Sequence, residues 1–183
     1  HILQLIMPKT TPVEHIHKIV ASTAQSLRRV ADPVSFAELD FQETNQLIHD
    51  MRYEMLDNFG IGIAAPQVGV SKRIFMAYLP HHIADTIQSM PETIFVNPVI
   101  AAPDDEKFTM FESCLSIPKK IGKVQRHSKV FCNFWNEEGK PLHMVANGFT
   151  AAVLQHEHDH LNGILYTDHL EKESDLHDVE TFF

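Results

Sequence analysis

The sequence predicts an α+β fold, because its helical and strand-like patterns occupy separate stretches of the chain instead of alternating. Apolar residues recur at helical spacing as far as residue 59, and short β-rich runs follow from residue 73. A last helical stretch ends at residue 163. A chain of 183 residues is expected to form a single domain, residues 1–183, with an acidic C-terminal segment over about residues 168–183.

Two helices are predicted in the first third of the chain. The first covers residues 11–29 and ends before Pro33. The second covers residues 36–59, with Ser35 as its N-cap and Gly60 at its C′ position. Their apolar positions recur every three or four residues, which is the spacing of one buried helix face.

Three β-rich runs follow the helices. Residues 73–79, 93–96 and 124–134 are predicted to form strands. Pro98 makes the chain after the second run an edge or a break, because proline has no N–H to donate to a neighbouring strand. Residues 136–140 have the composition of a hairpin turn.

Composition and charge exclude several classes of function. The net charge of −9 argues against general nucleic-acid binding, which needs a dense basic surface. One basic run is interpreted as a solvated loop and strand edge: Lys119, Lys120, Lys123, Arg126 and Lys129. No apolar run of about 18 residues occurs, so no membrane partner is expected.

The cysteine content favours a reducing, cytoplasmic setting. Cys114 and Cys132 are too few to form a disulfide framework in a chain of this size. No signal peptide is visible, although a cleaved organellar presequence remains compatible with a chain that begins at His1. Eight scattered histidines are interpreted as surface or capping residues: His15, His17, His81, His82, His127, His143, His169 and His177.

The motif His-Glu-x-x-His lies in the last predicted helix, residues 148–163. Positions i and i+4 of a helix share one face, so His156 and His160 can bind a single metal ion. Glu157 lies about 100° around the helix from His156, where its carboxylate can reach a water bound to that metal. This arrangement predicts metal-assisted hydrolysis.

The third metal ligand would decide the class of hydrolase. A metzincin has a third histidine six residues after the second, and that position is occupied by Tyr166. A thermolysin-like site would use a downstream glutamate, for which Glu171, Glu173 and Glu180 are available. Cys114 offers a thiolate instead, whereas Cys132 is interpreted as a core residue.

Three motifs taken together carry a family resemblance. Residues 60–67 read Gly-Ile-Gly-Ile-Ala-Ala-Pro-Gln, residues 112–116 read Glu-Ser-Cys-Leu-Ser, and residues 155–163 read Gln-His-Glu-His-Asp-His-Leu-Asn-Gly. In this order they resemble the peptide deformylase family, and they span more than half of the chain. The resemblance implies antiparallel β-sheets packed around a central helix that carries the His-Glu-x-x-His motif.

The resemblance also implies a metal centre and its base. Cys114, His156 and His160 would bind one divalent metal per chain, natively Fe²⁺, with Zn²⁺, Ni²⁺ or Co²⁺ able to substitute. A water would take the fourth position. Glu157 would accept its proton and later deliver one to the leaving amine.

Four further residues receive roles from the resemblance. The side-chain amide of Gln67 and the backbone N–H of Leu115 would stabilise the oxyanion. Glu112 and Gln155 would hold the site in place around its ligands. A neutral amide suits the first role, because it can donate to an oxyanion without competing for the metal.

The implied substrate is a nascent chain that begins with N-formylmethionine, with transient ribosome proximity and no stable nucleic-acid partner. Its extended backbone could pair with residues 60–62, and its methionine needs an apolar pocket. Positions three, four and seven before His156 share its helix face. The candidate substrate-binding residues are therefore Gly60, Ile61, Gly62, Glu112, Phe149, Ala152 and Val153.

The chain departs from the family pattern at several points. Ser113 stands where the middle motif usually has glycine, which matters if that backbone needs a positive φ or close approach of substrate. Residues 80–91 resemble a longer insertion near the cleft. The acidic C-terminus differs from the basic tail that some members use to dock on ribosomes.

Two other functions compete with deformylation. A zinc endopeptidase would cleave internal peptide bonds, but the third histidine or glutamate it needs is missing from the expected place. A metal-binding paralogue would retain the ligands and be catalytically weak because of Ser113.

Overall fold

A computed structural model describes residues 14–80 and 87–181 of the chain. Within these residues the α-helices are α1 (Phe41–Asp57) and α2 (Gly148–His160). The strands are β1 (Gly62–Ala64), β2 (Ile74–Leu79), β3 (Met90–Ala101), β4 (Lys107–Cys114), β5 (Ile117–His127), β6 (Lys129–Trp135), β7 (Pro141–Asn147) and β8 (Leu176–Asp178). Short 3-10 helices cover Gln25–Arg28, Ala65–Val68, Tyr166–His169, Glu173–Asp175 and Val179–Thr181.

The strands form two antiparallel sheets. One sheet has the order β1-β2-β3-β6-β7, and the other has the order β4-β5-β8. The predicted α+β class is confirmed. Helix α2 contacts strands of both sheets, so a side chain on α2 can meet residues from either one.

Strand β2 of the five-stranded sheet is buried on both faces, each packed against a different helix. Phe75 of β2 belongs to a core cluster that includes Leu154 of α2. Its neighbours Ile74 and Met76 point the other way, into a cluster with Met51 of α1. Because successive side chains of a strand alternate between faces, one short apolar strand supplies both cores. No helix in the described part of the chain is long and apolar enough to cross a membrane.

The predicted helix over residues 11–29 is wrong within the described residues, and its first three positions lie outside them. The described chain here forms no α-helix and contains a turn at residues 22–23 and the 3-10 turn Gln25–Arg28. The backbone N–H of Val20 donates to the carbonyl of Gln67 over 2.8 Å, and that of Ser22 donates to another distant carbonyl. The backbone groups of this segment therefore form hydrogen bonds with distant parts of the chain and not within a helix. Local periodicity in the sequence cannot detect such long-range partners.

Helix α1 starts later than predicted. Its N-cap is Asp40 and not Ser35, because the Asp40 carboxylate accepts the backbone N–H groups of Gln42 and Glu43 over 2.8 and 3.1 Å. An aspartate in this position satisfies N–H groups that have no partner inside the helix, and its negative charge suits the helix N-terminus.

The other end of α1 closes on a residue that sequence reasoning does not favour. Phe59 occupies the C′ position with φ of +55°, and Gly60 follows it. The N–H of Gly60 donates to the carbonyl of Met55 over 2.8 Å, and the N–H of Phe59 donates to that of Leu56 over 3.2 Å. This bond pair is a Schellman motif shifted one residue from the predicted one, with a bulky side chain in the left-handed conformation.

The predicted runs 73–79 and 93–96 lie in β2 and β3, whereas β4 and the first seven residues of β5 were not predicted. The run over residues 124–134 is divided at Ser128, where the chain leaves β5 in one sheet and enters β6 in the other. The predicted hairpin joins β6 to β7. Strand β3 continues to Ala101 without a break at Pro98, but in the described residues its part after Val96 pairs with β6 and not with β2, as the edge alternative predicts.

The acidic C-terminal segment contains strand β8, which pairs with β5. Residues 182 and 183, together with residues 81–86 of the suggested insertion and its two histidines, lie outside the described residues.

Candidate metal and substrate site

The structure brings the three predicted ligand residues together at the junction of the two sheets with α2. His156 and His160 lie one turn apart on α2, with ring centroids separated by 4.9 Å. Cys114, the last residue of β4, places its Sγ 3.4 Å from His160 Nε2. One ligand atom from each residue lies within 4.8 Å of the others. We call these three residues the cleft cluster.

The donor set of the cleft cluster fits a divalent metal. One sulfur and two imidazole nitrogens suit borderline ions such as Fe²⁺ and Zn²⁺. Two ligands bonded at about 2.1 and 2.3 Å with a tetrahedral angle lie roughly 3.5 Å apart, close to the separation of Cys114 Sγ and His160 Nε2. A cluster of three protein ligands also leaves a coordination position for water or substrate.

A buried ion pair holds His156 in orientation. Its Nδ1 lies 2.8 Å from Glu112 Oε2, so Nε2 is the nitrogen left for a metal. Arg126 donates from Nε and Nη2 to the same carboxylate over 2.6 and 2.9 Å, and from Nη1 to Asp159 over 2.6 Å. Burial alone would raise the pKa of Glu112, but the hydrogen bonds from Arg126 and His156 lower it to about 2.

The interpretation of the basic run as solvated is wrong for Arg126, which is buried. Its side chain is only 4% exposed. Gly122, Val124 and Arg126 alternate along β5 and are all buried, whereas Lys123 between them is exposed. This period-2 pattern was the signal that could have identified Arg126 as inward-facing. Asp159, which accepts from Arg126 and from His169, was likewise not singled out.

Glu157 is buried beside the cleft cluster and faces strand β1. Burial raises the pKa of its carboxyl to about 7, so proton uptake and release are both accessible near neutral pH. Its Oε2 has no hydrogen-bond partner among the described residues. A Cβ at Gly62 would collide with the Glu157 carboxylate, which explains why glycine is needed at that position.

Gln67 is fixed with its amide nitrogen directed at the cleft cluster. Its Oε1 accepts the N–H of Ala64 over 2.8 Å, and its Nε2 donates to Cys114 Sγ over 3.5 Å. Leu115 occupies the turn that joins β4 to β5 directly after Cys114. Gln155 lies further away, where its amide bonds the backbone N–H and carbonyl of His127 and ties α2 to the end of β5.

A cleft of about 540 Å³ opens beside these residues. Its lining includes every candidate substrate-binding residue, namely Gly60, Ile61, Gly62, Glu112, Phe149, Ala152 and Val153. Phe59 and Phe111, which the sequence analysis did not select, also line it. Strand β1 is the edge of its sheet, so its outer side can accept an extended peptide.

Comparison with known proteins identifies the family. The model of the polypeptide deformylase family matches residues 16–175. The chain belongs to the polypeptide deformylase family. It is 36% identical over 153 residues to the peptide deformylase of Fusobacterium nucleatum, covering 84% of this chain and 83% of the relative. It is 40% identical over 146 residues to that of Brucella suis, covering 80% and 79% of the two chains.

Solved structures of deformylases share this fold. The class I type b peptide deformylase of Acinetobacter baumannii bound to Met-Ala-Ser has a TM-score of 0.78 and 34% identity, covering 86% of this chain and 100% of that one. The enzyme of Synechococcus elongatus in complex with actinonin has a TM-score of 0.77 and 31% identity, covering 92% and 86%. The chain is thus an enzyme of the deformylase class, which argues against the endopeptidase interpretation.

Proposed function

We propose that the chain hydrolyses the N-formyl group of proteins that begin with formylmethionine and releases formate. The observation that carries the proposal is the cleft cluster, set beside the buried and partly unpartnered carboxylate of Glu157 in an open cleft. A metal-dependent deformylase requires this combination of ligands, base and access. We further propose a cytoplasmic location with only transient proximity to the ribosome, since the substrate is a newly made chain.

Cys114, His156 and His160 would bind one divalent metal, natively Fe²⁺, with Zn²⁺, Ni²⁺ or Co²⁺ able to substitute. When bound, the metal lowers the pKa of a coordinated water toward about 7 and polarises the formyl carbonyl. Glu112 would keep His156 in the orientation and tautomer that ligation requires, through the bond to its Nδ1.

Glu157 would carry the proton through the reaction. Its carboxylate takes a proton from the attacking water as the water oxygen joins the formyl carbon. It then gives a proton to the amine nitrogen as the C–N bond breaks, which leaves formate and a free amino terminus. A carboxyl whose pKa lies near 7 is suited to both transfers.

Gln67 and Leu115 would stabilise the negative charge that develops on the formyl oxygen. The Gln67 amide nitrogen already points at Cys114 Sγ, so its donor is oriented before substrate arrives. The N–H of Leu115 comes from the turn that follows the same cysteine. Donors held in advance cost no reorganisation during the reaction.

The substrate backbone would add to the free edge of β1 at residues 60–62. Its methionine side chain would then enter the part of the cleft lined by Ile61, Phe149, Ala152 and Val153. The solved relative that binds Met-Ala-Ser supports a peptide with N-terminal methionine as the occupant.

Anaerobic hydrolysis of formyl-Met-Ala-Ser, with iron content determined on the same sample, tests the proposal. We expect formate release with about one iron per chain. Cys114→Ser is the matched variant, since it replaces one sulfur by oxygen and should weaken binding or change metal preference. Full activity with iron in that variant would exclude Cys114 as a ligand, and a metal-loaded but inactive wild type would favour the weak paralogue.

A further inference from the structure

A second group of ligand-type side chains lies where the N-terminal segment crosses α1. His15 comes from the segment, and His49 and Asp50 come from the helix. We call these three residues the N-terminal cluster. None of them lines the cleft, and none contacts the cleft cluster. His15 was interpreted from sequence as a surface or capping residue, which does not explain its position beside a fully buried carboxylate.

The distances within the N-terminal cluster suit a shared metal ion better than hydrogen bonds. His15 Nδ1 lies 3.5 Å and His49 Nδ1 lies 3.3 Å from the same atom, Asp50 Oδ1. N–H···O bonds in proteins cluster at about 2.9–3.0 Å. Two ligands bonded to one tetrahedral ion at about 2.0–2.1 Å lie roughly 3.3–3.4 Å apart.

The hydrogen-bond inventory leaves suitable atoms free for a metal. His15 Nδ1 is buried and has no hydrogen-bond partner among the described residues. Asp50 Oδ1 accepts from Gln46 Nε2 over 2.8 Å and lies 3.3 Å from His49 Nδ1, a long hydrogen bond that a metal ion between the two atoms would replace. The other oxygen, Oδ2, accepts the backbone N–H and lies 2.8 Å from the Nδ1 of His17, so the carboxylate is held in one orientation.

The surroundings also fix one imidazole and leave a route to solvent. The His15 ring lies on Tyr53, with centroids 3.7 Å apart. The side chains of His15 and His49 are 30% and 40% exposed, so an ion can reach them from water. A hydrogen-bonded carboxylate with oriented imidazoles is the usual environment of a protein metal site.

We propose that His15 Nδ1, His49 Nδ1 and Asp50 Oδ1 form a second divalent-cation site that fastens the N-terminal segment to α1. Two imidazoles and one carboxylate favour a borderline ion, and Zn²⁺ is the probe of choice. The site is structural. It lies outside the cleft, and it joins the N-terminal segment to α1.

Zinc stoichiometry tests the second site directly. The enzyme is prepared with Zn²⁺ in the cleft cluster, equilibrated with further Zn²⁺, desalted and analysed for metal by mass spectrometry. We expect two Zn²⁺ per chain in the wild type and one in His15→Ala and in His49→Ala. His143→Ala is the matched control, because it removes an exposed histidine from β7 and should keep both ions. One Zn²⁺ in the wild type, or two in either cluster variant, would overturn the proposal.

Crystals of the wild-type protein soaked in Zn²⁺ provide a test that does not depend on the variants folding. Anomalous scattering at the zinc edge should give a peak between His15, His49 and Asp50 in addition to the peak in the cleft cluster. A peak in the cleft cluster alone would refute the second site. Deformylase activity of each variant shows whether it has folded, and we expect it to stay within about twofold of wild type.

Discussion

The cleft cluster and the N-terminal cluster offer similar ligand atoms in opposite settings. The cleft cluster contains a thiol, is almost fully buried and faces an open cavity. Its neighbour Glu157 has a carboxylate oxygen with no hydrogen-bond partner in the described part of the chain. The N-terminal cluster has two partly exposed imidazoles, and Asp50 is held in place by donors from Ile16 and His17 to Oδ2 and from Gln46 to Oδ1.

This difference separates a reactive centre from a structural one. Ligand spacing is shared, so it does not by itself predict catalysis. Catalysis needs a free coordination position, room for substrate and a base that is not already engaged in hydrogen bonds. The cleft cluster has all three within one helix turn of His156, whereas the N-terminal cluster has its carboxylate committed to holding two chain segments together.

The largest effect should come from Glu157→Gln, which removes the proposed proton carrier and leaves the proposed ligands intact. We expect formate release to fall by about 10²–10⁴-fold, the usual contribution of a general acid–base. Metal content should stay near wild type. Rate and metal content are measured on one sample to distinguish a proton carrier from a metal ligand. Loss of metal in the variant would indicate that Glu157 is a ligand. His15→Ala should leave the rate unchanged, which sharpens the contrast between the clusters.

A second prediction concerns the carboxylate that supports the cleft cluster. Glu112→Gln leaves Arg126 buried with only Asp159 as an anionic partner, and we expect the free energy of unfolding to fall by about 3 kcal/mol. Metal affinity should fall about 10–100-fold, because a neutral amide oxygen orients His156 less strongly than the carboxylate does. Denaturant unfolding and competition with a chelator measure the two effects.

Asp178→Asn is the control for Glu112→Gln. It breaks an ion pair with Lys120 whose side chains are 42% and 60% exposed, and it should cost less than about 1 kcal/mol. Equal destabilisation by the two variants would mean that the buried network around Arg126 does not support the site.

A third prediction tests the close approach of β1 to the base. Gly62→Ala places a methyl group against the Glu157 carboxylate, which must move. A displacement on the order of 1 Å at a reacting group can reduce the rate about 10²-fold. We expect a loss of that size in kcat with metal content unchanged. Gly60→Ala is the milder control, since its Cβ meets the flexible end of Leu115 at 3.0 Å. Similar losses in both would point to general disruption of β1.

Local spacing in the sequence predicted the parts of the site that lie on one element. His156, Glu157 and His160 share one helix, so their relation follows from helix geometry alone. Placing Cys114 beside them required the family resemblance, because nothing in residues 112–116 shows which element they approach. The structure brings all four together.

Contacts between distant segments escaped prediction. Periodicity predicted a helix over residues 11–29. Instead, Val20 donates its backbone N–H to Gln67, and Asp50 accepts the backbone N–H groups of Ile16 and His17. Arg126 was misjudged for the same reason, because its partners Glu112 and Asp159 lie 14 and 33 residues away. Charged side chains are mostly exposed unless they are paired, so a charged residue whose partner is distant in sequence is easily predicted to be solvated.

The smallest effect is expected at Ser113, where the family usually has glycine. The non-glycine residues with positive φ in the described chain are Phe59, Asn97 and Lys119, so Ser113 does not occupy the left-handed conformation that would favour glycine. Ser113 is exposed on the wall of the cleft. Ser113→Gly should therefore change kcat/KM for formyl-Met-Ala-Ser by less than about threefold, as for a surface substitution within roughly 0.5 kcal/mol. Phe59→Gly is the contrasting variant, because it relieves a left-handed phenylalanine and should raise stability by about 1 kcal/mol. If Ser113→Gly instead raised kcat/KM tenfold or more, Ser113 would be the cause of weak activity in the wild type. The cleft cluster would then bind a metal in an enzyme whose turnover Ser113 limits.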